Sequence, residues 1–428
     1  MVSDPERITY DVCIIGTGMT GMAAALFAAN RGLSIVQAGG ASELLFASGL
    51  LDLLGVHPIE KRKTWRDPWT GIKALIRDIP QHPYARIEKE HIQTAFDEFL
   101  VFLGHAGLDY KRLKRHNQEV VTSMGTSKLT YCLPLTMWKG AMAFKKKIPC
   151  LIIDFRGLKG FSARQISEAL AHKWPNVSFA RVEFPGLESF NEVYAERIAR
   201  ALEVVQNRER LAESIGPHLE RAKIVGLPAI LGINGSAEVM ADLERRIGVP
   251  LFEIPTMPPS VAGLRLKEVF ERHLPLKGVN LMSHRQVLRA RYERRGFFVL
   301  DIGDAEKKLS IRARGVVLAS GRFVGQGLHA DRFGIRETLF NLPVVQPASR
   351  VHWHSRDFLD PKGHPINRAG LEIDDYFRPL DKTGKCAFTT LFAAGSILAH
   401  QDWMRMKCGS GLAIASAYAA VNSLLKLL

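Results

Sequence analysis

The sequence predicts an α/β protein, and three consecutive stretches near its start support that class. "YDVCIIG" is an apolar, β-branched run that ends in glycine, as a buried parallel strand does. "MTGMAAALFAANRG" has the small apolar residues of a buried helix and a glycine suited to its C-terminus, and "LSIVQA" supplies a second apolar strand. A glycine-rich turn between a strand and a helix, followed by a second strand, predicts a Rossmann-like βαβ unit.

The turn after the first strand has the spacing G-x-G-x-x-G. Gly16 permits the tight turn, Gly18 lets a phosphate approach the backbone, and Gly21 lets the helix pack closely on the strand. The free N–H groups at the start of the helix favour an anion. A glycine turn without a ligand is the alternative. We predict that the turn binds a cofactor phosphate through Gly16, Thr17, Gly18, Met19, Thr20 and Gly21.

The second strand lacks the acidic residue that usually holds an adenosine ribose. This acid is expected about 20 residues after the first glycine, and we place Gln37 at that position. A glutamine can make a hydrogen bond there, but it cannot make the charged, bidentate contact of a carboxylate. The sequence therefore predicts a phosphate site with an altered contact to any adenosine ribose.

Two segments nearer the C-terminus extend this unit. "RGVVLASG" predicts a buried strand, and "LFAAGS" predicts another that is followed by a loop and a helix rich in small residues. A second helix N-terminus can approach another anion or a carbonyl group, which favours a flavin over a nicotinamide; packing alone is the alternative. We predict cofactor contacts from Ala319, Ser320, Gly321, Gly395, Ser396, Gly409, Ser410, Gly411 and Leu412.

The composition excludes several kinds of site. The 428 residues carry a net charge of +15, in scattered runs such as those at 111–116 and 145–147. No nucleic-acid motif accompanies these runs, so we expect an acidic partner or an anionic membrane surface rather than nucleic acid. The five cysteines form no C-x-x-C pair, so we predict no disulfide framework, no iron–sulfur cluster and no metal site.

We expect no transmembrane span in this chain. The uncharged stretches at 12–30 and 408–425 are broken by glycines and rich in alanine and serine, so they fit strands and buried helices better than a span. The N-terminal stretch "MVSDPERITYD" lacks the apolar region of a secretory signal. These features favour a cytoplasmic protein.

The motifs together resemble a known family. The N-terminal turn, the "ASG" strand end and the block "LFAAGS…GSGLAIASA" are similar to the two-dinucleotide-binding-domain flavoproteins of the succinate dehydrogenase and fumarate reductase type. Within that class the chain resembles the B-type subunit of anaerobic glycerol-3-phosphate dehydrogenase, through "ASELLFASGLLDLLG" (41–55) and "PTMPPSVAGLRL" (255–266). The resemblance spans most of the chain, and its Pro-Pro-Ser segment is the most specific part.

The resemblance implies an oxidoreductase that works in a complex. It implies FMN, with FAD as the alternative, and oxidation of sn-glycerol 3-phosphate to dihydroxyacetone phosphate with the electrons passed to quinone. The implied partners are a catalytic sister flavoprotein subunit and an iron–sulfur membrane-anchoring subunit. The chain would then be cytoplasmic and peripheral on the cytoplasmic face of the inner membrane. Ser48 and Gly49 would lie near the flavin ring.

The resembled fold also implies the division of the chain into domains. We predict a discontinuous flavin-binding domain formed by residues 1–57, 278–330 and 386–428. An inserted α+β cap or substrate domain would consist of residues 58–277 and 331–385. Helical stretches such as "EHIQTAFDEFLVFLGHAG" and strand runs such as "CLIIDF" predict this mixed cap.

Oxidising a secondary alcohol requires a base for the hydroxyl proton and a cation for the phosphate. We predict Arg265 as the phosphate anchor and Arg322, just after a strand end, as a residue near the flavin. His352 and His354 share one face if "RVHWHS" is extended, so they are predicted as base and orienter. His400 lies in the loop after the last strand and is a further candidate. A purely structural role is the alternative for each residue.

Two other functions fit the same motifs. One is a stand-alone flavin oxidoreductase of the fumarate reductase type that acts on another small acid. The other is a non-catalytic scaffold subunit with the flavoprotein fold, which the absence of an acid at position 37 favours.

Overall fold

The computed structural model describes residues 8–40, 42–293, 296–304 and 308–428, so residues 1–7 of the stretch tested for a secretory signal lie outside it. The helices are α1 (Met19–Asn30), α2 (Pro68–Asp78), α3 (Lys89–His105), α4 (Leu135–Lys146), α5 (Ala163–Leu170), α6 (Ala195–Leu202), α7 (Val205–Ile215), α8 (Ser236–Ile247), α9 (Val261–Leu276), α10 (Trp403–Met406) and α11 (Gly409–Leu425). The strands are β1 (Thr9–Ile15), β2 (Ile35–Gly39), β3 (Tyr110–Arg112), β4 (Gln118–Val121), β5 (Ser127–Thr130), β6 (Cys132–Pro134), β7 (Cys150–Phe155), β8 (Val177–Val182), β9 (Ile224–Pro228), β10 (Leu251–Ile254), β11 (Val279–Ser283), β12 (Gln286–Glu293), β13 (Phe297–Gly303), β14 (Lys308–Leu318), β15 (Leu328–Ala330), β16 (Ile335–Glu337), β17 (Val344–Val345), β18 (Gly370–Leu371) and β19 (Leu391–Ala393).

The chain divides into two compact units. The discontinuous unit consists of residues 1–43, 52–99 and 270–428, and the inserted unit consists of residues 44–51 and 100–269. These boundaries differ from the predicted ones: 58–99, 270–277 and 331–385 fall in the discontinuous unit, and 44–51 falls in the inserted unit. A bridge that joins Leu371 to Leu398, just beyond β19, explains the placement of 331–385. The binding roles given to the two domains stay predictions.

The sheet of the discontinuous unit brings the carboxyl ends of several strands to one edge. Among the described residues its order is β11–β2–β1–β14–β13–β12, and β19 also pairs with β14. Strands β11, β2, β1, β14 and β19 are parallel, whereas β13 and β12 continue the sheet in antiparallel fashion. The long strand β14 pairs with β13 through its first half and with β19 through its last three residues. Ligands of open α/β sheets bind outside this carboxyl edge.

Two helices of small residues cover this sheet. The alanines Ala23, Ala24 and Ala25 of α1 are fully buried, and helix α11 packs against the same helix. The rings of Phe27 on α1 and Tyr418 on α11 meet edge to face, with their centroids 5.3 Å apart. Small side chains permit this close approach, which explains why both predicted helices lack a polar face.

The inserted unit has a core of its own. Its parallel sheet has the order β10–β9–β7–β8, and antiparallel pairs form between β3 and β6 and between β4 and β5. The strand β7, predicted from "CLIIDF", is buried along its whole length, as expected for a parallel strand covered on both faces. The predicted α/β class is confirmed. In the part of the chain that the structure describes, no helix is both long enough and apolar enough to cross a membrane.

Candidate functional site

The glycine turn packs tightly against its neighbours at two positions. Gly16, at the end of β1, has a φ of +125°, and a Cβ atom there would collide with the carbonyl group of Ala319 after β14. A Cβ atom on Gly21 would collide with the carbonyl oxygen of Gly16. These two glycines therefore allow β1, β14 and α1 to meet, as the motif predicts.

Gly18 differs from the other two glycines because it faces open space. Apart from Gly18 itself and its two neighbours in the chain, no described atom lies within 4 Å of a Cβ atom built on it. It is the N-cap residue of α1 and provides no side-chain hydrogen bond to that helix. Since the first N–H groups of a helix lack intrahelical acceptors, they are available here to an anion. The turn thus fits a cofactor phosphate.

Gln37 lies beneath the turn rather than on the binding surface. It is the third residue of β2 and is fully buried, and its Nε2 atom donates a hydrogen bond of 2.8 Å to the carbonyl oxygen of Gly16. The predicted contact between Gln37 and a ribose does not fit this geometry. The sequence spacing placed the residue two positions before the end of the strand.

The end of β2 carries glycine where a ribose-binding acid would project. A Cβ atom on Gly39 would lie 2.8 Å from the backbone nitrogen of Thr17 and 2.9 Å from its hydroxyl oxygen. The Thr17 hydroxyl donates a 3.1 Å hydrogen bond to the carbonyl oxygen of Gly40. The buried threonine therefore fills the space that a longer side chain at position 39 would need.

The strand end after β14 offers a hydroxyl group to a ligand. The N–H group of Ala319 bonds to Ile15, and Gly321 has a φ of +69°. The Oγ atom of Ser320 is buried and has no hydrogen-bond partner among the described residues. A buried polar atom normally has a partner, so this hydroxyl fits a group of a bound cofactor. Glu43, whose carboxylate lies close to this turn, has a pKa raised by desolvation.

The turn after β19 packs on the first turn of α1. Gly395 has a φ of +77°, and a Cβ atom on it would collide with the side chain of Thr20. Its N–H group donates a 2.8 Å hydrogen bond to Ser416 of α11. Gly395 and Thr20 are therefore close to the phosphate turn, although both serve packing. Ser396 contributes its carbonyl oxygen to Arg322.

The N-terminus of α11 is partly occupied by the chain itself. Gly411 donates its N–H to the carbonyl oxygen of Asp52 at 2.7 Å, and the Ser410 hydroxyl accepts from the Asp52 N–H at 2.6 Å. The N–H of Leu412 already bonds within the helix, to Cys408. The predicted contacts of Ser410, Gly411 and Leu412 with a flavin carbonyl do not fit these bonds. These bonds do not involve Gly409, so its predicted contact with a flavin stays a prediction.

Arg322, predicted as a residue near the flavin, uses its guanidinium for hydrogen bonds within the chain, and its proximity to a flavin stays a prediction. Its guanidinium donates to the carbonyl oxygens of Ser396, Leu398 and Gln401, at 2.6, 3.2 and 2.9 Å, and also to that of Asn367. Burial lowers the pKa of Arg322 to about 10. The residue fixes the loop that follows β19, which is the loop that carries His400.

His400 forms a pair with Glu372 that the sequence patterns do not indicate. The Nε2 atom of His400 bonds to one carboxylate oxygen of Glu372, and Arg86 lies 3.5 Å from the other. Burial alone would raise the pKa of Glu372, but its hydrogen bond to His400 and the nearby charges hold it below the ordinary value. His400 has a left-handed backbone, with a φ of +63°. A separation of 28 residues leaves no local signal of the pair in the sequence.

This pair has the geometry of a histidine oriented by a carboxylate. If Nε2–H donates to Glu372, the Nδ1 atom of His400 carries the lone pair and can accept a proton. The carboxylate then fixes this tautomer and the orientation of the ring. The side chain of His400 is 24% exposed, so a small molecule can reach it.

His352 and His354 do not lie on an extended strand. Arg350–His352 forms a 3₁₀ turn, and the ring of His352 bonds to the Ser349 hydroxyl at 2.9 Å. The ring of His354 packs on His364, with centroids 5.3 Å apart. The shared face predicted for these two histidines is wrong because the segment is a turn.

Arg265, in the inserted unit, is also a structural residue. It is 2% exposed and makes a bidentate ion pair with the buried Glu253 at 2.6 and 2.8 Å, while its Nε atom donates to Gly232 at 2.8 Å. Burial would raise the pKa of Glu253, but the charge of Arg265 keeps it low. Because the guanidinium is buried and bonded to Glu253 and Gly232, the predicted anchor role does not fit this geometry.

Ser48 and Gly49 also belong to the inserted unit. Gly49 has a φ of +80°, and a Cβ atom on it would lie 2.7 Å from the side chain of Ala262. Its carbonyl oxygen accepts a 2.8 Å hydrogen bond from the Tyr110 hydroxyl. The Ser48 hydroxyl accepts from the N–H of Leu50 at 3.4 Å. Their predicted flavin contact stays a prediction.

A comparison of the sequence with known protein families agrees with the geometry at the carboxyl edge of the sheet. The sequence model of the FAD binding domain family matches residues 11–412, so the chain belongs to that family. The protein is a flavin-dependent oxidoreductase, and the flavoprotein class expected from the motifs is confirmed.

Named relatives of the chain define a narrower group within this family. The chain is 28% identical over 428 residues to the B-type subunit of anaerobic glycerol-3-phosphate dehydrogenase from Vibrio vulnificus strain YJ016, covering 97% of this chain and 96% of that protein. It is 29% identical over 422 residues to the protein of the same name from Yersinia pseudotuberculosis, covering 95% and 96%. The predicted resemblance to this B-type subunit is confirmed. Among solved structures, 3-ketosteroid Δ1-dehydrogenase from Sterolibacterium denitrificans matches at 12% identity with a TM-score of 0.45, covering 98% of this chain and 100% of that one.

Proposed function

We propose that this chain is the flavin-binding subunit of an anaerobic respiratory glycerol-3-phosphate dehydrogenase. The complex would oxidise sn-glycerol 3-phosphate to dihydroxyacetone phosphate and pass the electrons to quinone. The observation that carries the proposal is the similarity to the B-type subunits along nearly the whole chain, together with a phosphate turn whose helix start is open. The partners would be a catalytic sister flavoprotein subunit and an iron–sulfur membrane-anchoring subunit on the cytoplasmic face of the inner membrane.

FMN is the proposed cofactor. Its single phosphate would lie at Gly18 and the start of α1, and it needs no acid for an adenosine ribose. The glycine at the end of β2, with Thr17 packed against it, supports this choice. FAD is the second candidate, because a cavity of about 580 Å³ lies beside Gly40 and is also lined by His284, Gln286 and Lys308. That cavity has room and polar groups for a nucleotide moiety.

The proposed base is His400. A bound flavin would supply the two-electron oxidant for the alcohol carbon. His400 would accept the hydroxyl proton at Nδ1, while Glu372 holds the ring in place through Nε2. Arg322 would act as a positioning residue, since it fixes the carbonyl groups on both sides of His400.

Two arginines around the pair are the proposed contacts for the substrate phosphate. Arg86 touches Glu372, and the carbonyl oxygen of Arg368 accepts the N–H of His400 at 3.0 Å. The Arg368 side chain is 42% exposed and its ion pair with Glu60 is 3.4 Å long. Such exposed pairs contribute little, so a phosphate can compete for this guanidinium. Arg265 takes no part in the proposal.

An anaerobic titration tests the function. The purified chain is mixed with sn-glycerol 3-phosphate, and the flavin absorbance is followed with and without the partner subunits. If the substrate bleaches the flavin of this chain in the absence of the partner subunits, the result supports a substrate site in this chain. Bleaching that requires the partner supports an electron relay and removes the roles proposed for His400, Arg86 and Arg368. Turnover of a different small acid without any partner would favour the stand-alone oxidoreductase. Absence of flavin from this subunit, when it is isolated from an assembled and active complex, would favour the scaffold.

Chromatography of the released flavin tests the cofactor. Heat-denatured protein should release FMN as its only flavin. Release of FAD would replace FMN with the second candidate and would point to the cavity beside Gly40.

A further inference from the structure

A loop in the discontinuous unit exposes large apolar side chains. Between positions 349 and 368, Val351, Phe358 and Leu359 are 86%, 86% and 84% exposed. A single exposed apolar residue is ordinary, but three within one short loop, two of them adjacent, mark an interaction surface. We call residues 350–362 the apolar–basic loop.

The loop has a defined internal structure. The buried Trp353 accepts a hydrogen bond from Ile366 at 3.1 Å through its carbonyl oxygen. Ser355 donates its hydroxyl to Gly363 at 2.9 Å and its N–H to the His364 ring at 3.0 Å. A turn between Asp357 and Asp360 presents Phe358 and Leu359 at the tip. The two side chains are therefore held outward by the fold.

Unneutralised positive charge surrounds the exposed side chains. Arg350, Arg356 and Lys362 are exposed, and no carboxylate in the described part of the chain forms an ion pair with any of them. The loop also holds two acids. Asp360 accepts the N–H of Lys362 at 2.8 Å, and Asp357 lies at the start of the tip turn. The cations outnumber the acids, in a chain of net charge +15.

A second exposed apolar tip, preceded by Asp331 and Arg332, lies in the hairpin that comes before this loop in the sequence. Phe333, in the turn between β15 and β16, is 84% exposed, and the guanidinium of Arg332 lies 4.6 Å from its ring centroid. Gln346, just before the loop, bonds to both the N–H and the carbonyl oxygen of Ile335 at 2.7 and 2.8 Å. The hairpin is thus bonded to the segment that leads into the loop.

We propose that the apolar–basic loop and the Phe333 tip dock directly on an anionic phospholipid membrane. The apolar side chains enter the boundary between headgroups and acyl chains, and the neighbouring cations contact the lipid phosphates. A stable protein interface buries about 800 Å² per partner around a core that is depleted of charge. Here charged residues stand within two positions of Phe333, Val351 and Phe358, which suits the headgroup boundary of a membrane better than a core depleted of charge.

Vesicle flotation of the full chain tests this proposal. The chain should float with vesicles of phosphatidylcholine containing phosphatidylglycerol, should float much less with phosphatidylcholine alone, and should detach as salt is added. The variant F358S/L359S should lower the fraction bound about tenfold, since each buried methylene adds to membrane affinity. The matched variant L276S changes a 79% exposed leucine outside the loop and should bind as wild type.

Two variants that lose the same number of positive charges separate the contribution of the loop from that of the net charge of the chain. The variant R350Q/R356Q/K362Q should lose most of its binding to anionic vesicles. The variant K61Q/K145Q/K382Q removes the same charge from other exposed positions and should retain it. Equal loss in the two variants, or no binding of the wild type to anionic vesicles, overturns the proposal. It is also overturned if the loop variants keep vesicle binding but lose an acidic partner protein. Thermal melting of each variant verifies folding, and the measurement does not depend on flavin or on substrate.

Discussion

The side-chain amide of Gln37 donates a 2.8 Å hydrogen bond to the carbonyl oxygen of Gly16. This bond ties the middle of β2 to the first residue of the phosphate turn, in a place that is closed to solvent. The glutamine thus has a structural function next to the cofactor turn. An acid at the same position would face a carbonyl oxygen, which repels a carboxylate.

Replacing Gln37 tests this role. Q37L removes the donor and leaves the Gly16 oxygen without this partner, which should cost about 1–3 kcal/mol of unfolding free energy. Q37E should cost more, because it buries a carboxylate beside an acceptor. Urea denaturation of the flavin-free protein measures both. A Q37E protein as stable as wild type and binding flavin more tightly would restore the ribose interpretation.

The glycines of the turn should respond differently to alanine. G21A should prevent α1 from packing, since its Cβ atom would collide with Gly16, and the protein should be strongly destabilised. G18A places its Cβ atom in open space and should leave the melting temperature of the flavin-free protein nearly unchanged. It should nevertheless weaken flavin binding, because the methyl group stands where the phosphate approaches the backbone.

Flavin content and melting temperature, measured on the same preparations, decide this prediction. If G18A retains stoichiometric flavin, the phosphate does not bind at the start of α1. G32A is unsuitable as a control because Gly32 has a φ of +73°, a backbone conformation that strains alanine. The comparison therefore rests on G18A against G21A.

The local motifs of the fold could be predicted from the sequence because they are short and periodic. β1, the turn, α1 and β2 follow one another within about thirty residues, and each has its own apolar period or glycine. The end of β2 was misplaced because the expected spacing of the acid is approximate, whereas strand pairing fixes Ile15 opposite Ala38. Only the register between β1 and β2 shows that the Gln37 side chain is buried beneath the turn.

The roles of the charged residues could not be predicted, because they depend on partners far away in the sequence. Arg265 forms an ion pair with Glu253 on β10. Arg322 donates hydrogen bonds to carbonyl groups that lie more than 70 residues later in the sequence. An arginine in a specific motif has the same sequence signal whether it binds a substrate or a buried carboxylate. His400 stood among the candidates, but its orienting carboxylate did not.

Arg265 offers a test of buried ion pairing. R265M leaves Glu253 buried without its cation and should cost about 3–5 kcal/mol. The double variant R265M/E253M removes both charges and should recover much of that loss. Denaturant unfolding of the two variants and wild type measures the coupling. If R265M folds stably and only raises the KM for substrate, the residue contacts substrate after all.

Glu372 should make the protein sensitive to acid. Its pKa is held below the ordinary value in the folded chain, so its stabilising contribution is fully present above the unfolded pKa of about 4.3. That contribution is lost as the pH falls from there through the folded pKa. The difference in unfolding free energy between wild type and E372Q should therefore shrink on acidification. A difference that stays constant from neutral pH to acid would contradict the lowered pKa.

His400 should control the rate of substrate oxidation more than substrate binding. H400N keeps a polar side chain of similar reach but cannot accept the hydroxyl proton, so kcat should fall about 10²–10⁴-fold with little change in KM. E372Q should reduce kcat less, because the ring can still accept a proton but loses the carboxylate that orients it. The control H105N changes an exposed histidine at the end of α3 and should behave as wild type. Steady-state kinetics of the assembled complex across pH measure all three variants. If H400N alters KM alone, His400 is a binding residue, and if it leaves both constants unchanged, the base lies elsewhere in the complex.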